Sequence, residues 1–154
     1  MSTTSPADSA ADPDLLSRGQ GWLALQPFSV LLGARLLRLL PGEAEFRLAV
    51  RPVLQQQHGF VHGGVLGYLA DNAIAMVAGS VLGDRVVTSE YKLNFLRPAL
   101  GTELVAVATV LHAGKMQAVC RCDVWSVDAQ GARLLCVTAQ GTVARLGSPP
   151  PSSM

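Results

Sequence analysis

The sequence predicts an α+β domain, an antiparallel β-sheet packed against one long apolar helix. Three observations carry the prediction. The run "GVLGYLADNAIAMVAGS" (64–80) is filled with Leu, Val, Ile, Met, Ala and Gly over the length of a buried helix. The second half of the chain divides into strand-like runs, the last three separated by the tight-turn sequences "HAGK" and "DAQG". Helical and strand patterns do not alternate along the chain, which argues against a parallel sheet built from βαβ units.

Taken in order, residues 15–32 mix apolar positions with Gly19, Gly21 and Pro27, predicting a short helix, a break and a second helical turn at "PFSVLLG". "ARLLRLL", "PGE" and "AEFRLAV" (34–50) predict two strands around a turn. Pro41 and Gly42 punctuate, and Glu45, Arg47 and Ala49 alternate with Phe46, Leu48 and Val50, which gives a hairpin with one wet face. The long helix follows, then strands over 85–95, 103–112, 117–127 and 133–145, so one helix must pack against the whole sheet. The polar ends, residues 1–13 and 147–154 ("GSPPPSSM"), predict disordered tails around a single domain at 14–146.

At 154 residues, with 49% apolar and 15% charged, the chain can bury one core without staples. A net charge of +1, with 12 basic residues scattered among 11 acidic ones, supplies no field for nucleic acid. Three cysteines without a CxxC pair suggest neither a disulfide framework nor a zinc knuckle and fit a reducing compartment. The start lacks the basic and apolar parts of a signal peptide. No run reaches the roughly 18 to 20 consecutive apolar residues of a membrane span. A cytoplasmic protein with no membrane partner is the expectation.

Asp71 stands out as one carboxylate inside an apolar helix. Burying an ionised group without partners is costly, so Asp71 faces either water or a site. Gly63 and Gly64 lie where the helix begins, and there free backbone N–H groups and the positive end of the helix dipole converge. A developing oxyanion suits such a place. Asp71 is eight residues beyond Gly63, about 12 Å along the axis at ~1.5 Å per residue. One chain does not bring both groups to one atom. A two-fold dimer with two such helices side by side in opposite directions would set Gly63 of one subunit near Asp71 of the other, making two shared sites.

The segment "HGGVLGYLAD", preceded by "QQHGFV" and followed after a loop by "TSEYKLNFLRPA", resembles the hotdog-fold acyl-CoA thioesterases of the phenylacetyl-CoA thioesterase type, over about residues 27–145. The resemblance implies an antiparallel sheet wrapped around one central helix, an acyl-CoA substrate, no metal or redox cofactor, and a homodimer that assembles further to a tetramer. It makes Asp71 the catalytic carboxylate, as general base toward water or nucleophile toward the thioester carbonyl. The N–H of Gly63 would stabilise the oxyanion. Gln56, six before His62, replaces an Asn that orients the water or carbonyl, keeping the amide with one more methylene. Thr88, ten before Pro98, matches a Ser or Thr that holds the attacking water. His62 and Gly64 would bind at the thioester end, and Phe60 and Tyr68 would line the acyl tunnel. The implied reaction converts an aryl- or medium-chain acyl-CoA to the free acid and coenzyme A.

Blander readings accompany each residue. Asp71 could be a structural carboxylate bonded to a backbone amide or to Asn72, and the glycines could serve turn and packing alone. His58 and His62 share the spacing of helical metal ligands, but the glycines around them and the lack of a third ligand argue against zinc. Cys120 and Cys122 share a strand face with Ala118 and Val124, as core thiols would. Arg97, Lys115, Arg121 and Arg145 are candidates for coenzyme A phosphates or for a solvated face. Two other functions remain open on sequence: an enoyl-thioester hydratase or dehydratase of the same fold, and a non-catalytic acyl-CoA binding module.

Overall fold

The structure is a computed structural model that describes residues 12–148. The expected tails at 1–13 and 147–154 lie outside the described residues except for Asp12, Pro13, Gly147 and Ser148. Helix α1 (Pro13–Ala24) starts where the Asp12 carboxylate accepts from the Asp14 N–H at 3.0 Å, with proline in the first turn. Helix α2 (Pro27–Leu32) stops at Gly33, whose φ of 78° is the left-handed conformation that glycine adopts freely. Strands β1 (Arg35–Leu40) and β2 (Glu43–Ala49) form the expected hairpin, with Ala44, Phe46 and Leu48 buried.

A 3-10 turn at Pro52–Leu54, not read from the sequence, leads to helix α3 (Gly63–Leu82). Strands β3 (Val86–Phe95), β4 (Glu103–Ala113), β5 (Gln117–Val127) and β6 (Arg133–Arg145) follow, each within a residue of expectation. All pair antiparallel in the order β1-β2-β4-β5-β6-β3. Because α3 links β2 near one edge to β3 at the other, it must run across the sheet. Leu69, Ala70, Ala73, Ile74 and Val77 are fully buried in that contact. By length and a mean hydropathy of 1.5, α3 is also apolar enough to cross a membrane, but 61% of that window is buried inside the fold, as in a core helix.

Cys120 and Cys122 do share the core face of β5 with Ala118 and Val124. Burial pushes the Cys120 thiol up to about 11 and raises those of Cys122 and Cys136 as well. Thiols held in the protonated form and shielded from solvent react slowly. The expected result with Ellman's reagent at pH 8 is therefore no titratable thiol in the native protein and all three after denaturation. Rapid native labelling of any of them would contradict the packing described.

One irregularity in β3 decides what faces the helix. Thr88 pairs with Val143 and Glu90 with Thr142, so Ser89 is an extra residue in a bulge. The bulge reverses the alternation, and Val86, Thr88, Tyr91, Leu93 and Phe95 all pair with residues that include the buried Val137, Ala139 and Val143. Gly141 makes room for this arrangement: a Cβ there would stand 2.8 Å from the Tyr91 Cβ.

Candidate active site

The helix begins at Gly63, one residue before the apolar run at 64–80, because His62 caps it. Its Nδ1 accepts from the Gly64 N–H at 2.9 Å, and its carbonyl accepts from the Val65 N–H at 2.9 Å. Those two first-turn donors are therefore used. Among the described residues the Gly63 N–H has no acceptor, and it sits at the positive end of a 20-residue helix. With Nδ1 accepting, the neutral His62 ring carries its proton on Nε2.

The loop before the helix is fixed from both sides. The His62 N–H donates to the Leu54 carbonyl at 2.8 Å and the Val61 N–H to the Ala99 carbonyl at 3.0 Å. Gln56 and Phe60 close a turn through a 2.8 Å backbone bond, with Gly59 at a φ of 81°. The Gln56 Oε1 accepts from the His58 N–H, which leaves Nε2 as the free amide donor. Gln56, Phe60, Gly63 and Leu66 line one cleft of about 370 Å³ together with the segment from Phe95 to Ala99. The Val61–Ala99 bond explains why the two separated motif segments belong together: they form opposite walls of one space. Of the four candidate phosphate contacts, Arg97 alone lines this cleft. Arg121 is paired with Asp123 at 3.2 Å, and Arg145 lies at the far end of α3.

Asp71 occupies a row of small residues. Gly63, Gly67, Asp71, Ala75 and Gly79 recur every fourth position, and the glycines of this row lie against β3. A Cβ on Gly63 would meet Phe95 Cζ at 3.2 Å, one on Gly67 the Tyr91 hydroxyl at 3.5 Å, and one on Gly79 Val86 Cγ2 at 3.8 Å. Asp71 Oδ1 is buried and has no hydrogen-bond partner among the described residues, Thr88 included. Asn72 gives its amide to Gln26, Ser29 and Tyr68 rather than to Asp71. An acceptor left buried and unpaired costs about 1–3 kcal/mol.

Within one chain, Gln56, Phe60, Gly63 and the His62 cap come together, while Asp71 and Thr88 lie further along the helix and strand. The eight-residue separation of Gly63 and Asp71 on one continuous helix keeps them about 12 Å apart. Tyr68 goes to another place. Its hydroxyl donates to Ser29 Oγ at 2.7 Å, and its ring meets Phe28 edge-on at 5.2 Å, so it pins α2 to α3. Sequence reasoning missed Tyr91 and Phe95, because the bulge that turns them inward leaves no mark in the alternation. It also missed Gln26 and Ser29, whose partners are distant in sequence.

An antiparallel sheet wrapped around one central helix is the hotdog architecture. The family model described as Thioesterase superfamily matches residues 58–132. A thioesterase family protein from Silicibacter pomeroyi has a solved structure that superposes with a TM-score of 0.81 at 31% identity, covering 86% of this chain and 98% of that one. The acyl-coenzyme A thioesterase PaaI of Escherichia coli is 36% identical over 89 residues, 57% of this chain and 63% of that protein. The solved structure of E. coli PaaI, from the phenylacetic acid degradation operon, gives a TM-score of 0.72 at 27% identity over 86% of this chain and 96% of its own. A 1,4-dihydroxy-2-naphthoyl-CoA hydrolase of Listeria monocytogenes is 28% identical over 70% of this chain and 86% of that protein. The PaaI alignment spans somewhat less than two thirds of that relative's length. The chain belongs to the thioesterase superfamily, as a PaaI-like hotdog thioesterase.

Proposed function

We propose that the protein is an acyl-CoA thioesterase that hydrolyses an aryl- or medium-chain acyl-CoA to the free acid and coenzyme A, at two sites shared across a homodimer. The observation that carries this reading is the buried, unpaired Asp71 Oδ1 on the same helix as the free Gly63 N–H. The thioester carbonyl oxygen takes the Gly63 N–H and the Gln56 Nε2. Asp71 of the partner subunit, with the Thr88 hydroxyl beside it, activates water against the carbonyl carbon or attacks that carbon itself. The C–S bond breaks and the thiolate leaves, taking up the proton that water gives to Asp71; on the nucleophilic route that water then hydrolyses the acyl–Asp71 anhydride, so either route yields the free acid and coenzyme A. His62 orders the helix start, Gly64 lies beside it at the thioester end, and Phe60 belongs to the walls around the acyl group. No cofactor enters these steps.

The dimer is supported by β3, a ten-residue edge strand whose Val87, Tyr91 and Phe95 are 48%, 41% and 60% exposed in a single chain. An edge strand with this much uncovered apolar surface pairs readily with a second copy, and dimers would pair again as tetramers. Three free cysteines suit the reducing cytoplasm.

The test is a panel of benzoyl-, phenylacetyl- and octanoyl-CoA with thiol release as readout. At least one ester should turn over, and Gln56→Ala and Thr88→Val should each lower kcat by about 10²-fold, the scale of losing one oxyanion or positioning contact. Tight binding of all esters without thiol release would instead favour a binding module. Loss of enoyl absorbance on an enoyl-CoA would favour a hydratase.

A further inference from the structure

The loop that carries Gln56 is held at its ends by backbone bonds, from the Val50 N–H to the Thr102 carbonyl at 2.9 Å and from the His62 N–H to the Leu54 carbonyl at 2.8 Å. Gln56 itself bonds only within its own turn, to His58, Gly59 and Phe60. Among the described residues, one side chain between 51 and 60 forms a hydrogen bond outside the loop, that of Arg51. Its Nη2 donates to the Leu31 carbonyl at 3.0 Å and to the Leu32 carbonyl at 3.1 Å.

Those two carbonyls end α2, where last-turn C=O groups lack partners inside the helix and favour a cation. Arg51 forms no ion pair among the described residues, so its guanidinium is committed to this contact. The other flank of α2 is fixed to α3. Ser29, 1% exposed, donates to Gln26 Oε1 at 2.6 Å and accepts from the Tyr68 hydroxyl at 2.7 Å, and Asn72 Nδ2 donates to Gln26 Oε1 and Ser29 Oγ, each at 3.2 Å. A satisfied buried network of this kind is rigid. Helix α2 is therefore a splint, seated on α3 by its buried face and bound to the Gln56 loop through Arg51 at its end. Arg51 directly precedes the 3-10 turn Pro52–Leu54, whose Leu54 carbonyl meets the cap of α3.

We infer that Arg51 is a positioning residue for the Gln56 amide: by binding the end of α2 it fixes the loop so that Gln56 Nε2 stays aimed at the thioester carbonyl oxygen. The inference rests on the thioesterase reading. Arg51 is exposed and does not line the cleft that Gln56, Phe60 and Gly63 share, so it acts through Gln56. A displacement of about 1 Å in a positioned group costs up to ~10²-fold in rate. An effect carried by one donor is no larger than the loss of that donor. The guanidinium suits the task because its planar fork meets two carbonyls from a fixed direction, whereas a lysine ammonium offers only a compact point charge on a flexible stem.

The experiment uses Arg51→Met, which keeps an apolar stem and removes the donor. On the fastest ester of the acyl-CoA panel it should lower kcat about tenfold and leave KM within about twofold, the pattern of an interaction felt in the transition state alone. Arg51→Lys should recover part of the loss. A double-mutant cycle with Gln56→Ala decides the route: in that background Arg51→Met should cost less than about twofold. An equal cost in both backgrounds would mean general loosening and overturn the inference, as would an unchanged kcat in Arg51→Met alone. Amide exchange reads the same positioning without chemistry. The Gln56, Gly59 and His62 N–H groups should exchange at least about tenfold faster in Arg51→Met, with those of Leu69 and Ile74 in the middle of α3 unchanged. Unchanged exchange in the loop, or faster exchange throughout, would also overturn the inference. No turnover of any ester by the wild type, with the loop exchange shifted as expected, would instead sink the thioesterase reading and keep the hold of Arg51 on the Gln56 loop.

Discussion

Replacing Asp71 with Ala removes thioester hydrolysis, by at least about 10³-fold in kcat, and makes the protein more stable. The two effects share one cause. The Oδ1 atom is buried without a donor, and a group in that state costs about 1–3 kcal/mol of folding free energy. Alanine removes the orphan and gains helix propensity, roughly half a kcal/mol in its favour. The residue as a whole is only half-buried, which places the gain toward the low end. For a chain of this size each kcal/mol moves Tm by about 2–4 °C, so a rise of about 2–6 °C is the expected result of a thermal scan on the inactive variant. A lower Tm would mean that the carboxylate is satisfied in the assembled protein, and near wild-type turnover would remove it from the chemistry. A structural carboxylate predicts loss of both stability and activity, so the opposite signs separate the two roles.

Which parts of this protein could be read in advance follows from how local their causes are. The hairpin at Ala34–Val50 and the last three strands announce themselves through alternation and turns a few residues long, and they stand where expected. Asp71 was visible because its neighbours made it anomalous. The cap on α3 was less so: a histidine before two glycines reads equally as loop, and only the 2.9 Å bond to Gly64 shows that the helix already starts at Gly63. Strand order is a non-local property. Nothing within β3 says that it borders β6 rather than β4, or that Ser89 bulges and so turns Tyr91 and Phe95 toward the helix. The amide network joins Gln26 to Asn72 across 46 positions, through a Ser29 that composition alone would place in a loop. In the sequence Asn72 reads only as a neighbour for Asp71, because adjacency along the chain is visible there and the faces of a helix that meet α2 are not.

Mixing two inactive variants should restore activity if the proposed sites are shared between subunits. Asp71→Ala removes the acid. Gly63→Val fills the helix start, where even a Cβ would stand 3.2 Å from Phe95 Cζ, and it blocks the approach to the N–H. A heterodimer of the two carries one site with both defects and one with neither, since the intact Gly63 of one chain meets the intact Asp71 of the other. After unfolding and refolding an equal mixture, half of the dimers are mixed, and about a quarter of all sites are whole. Recovery of about 25% of the wild-type rate is therefore expected, against essentially none for either parent refolded alone. A site formed within one chain would give no recovery at any mixing ratio. Separation of the two groups by about 12 Å along one rigid helix is what forces this outcome, and sedimentation of the refolded mixture would verify that the recovered activity runs with the dimer or a larger assembly. Activity that ran with a monomer would overturn the shared-site geometry even if Asp71 kept its role.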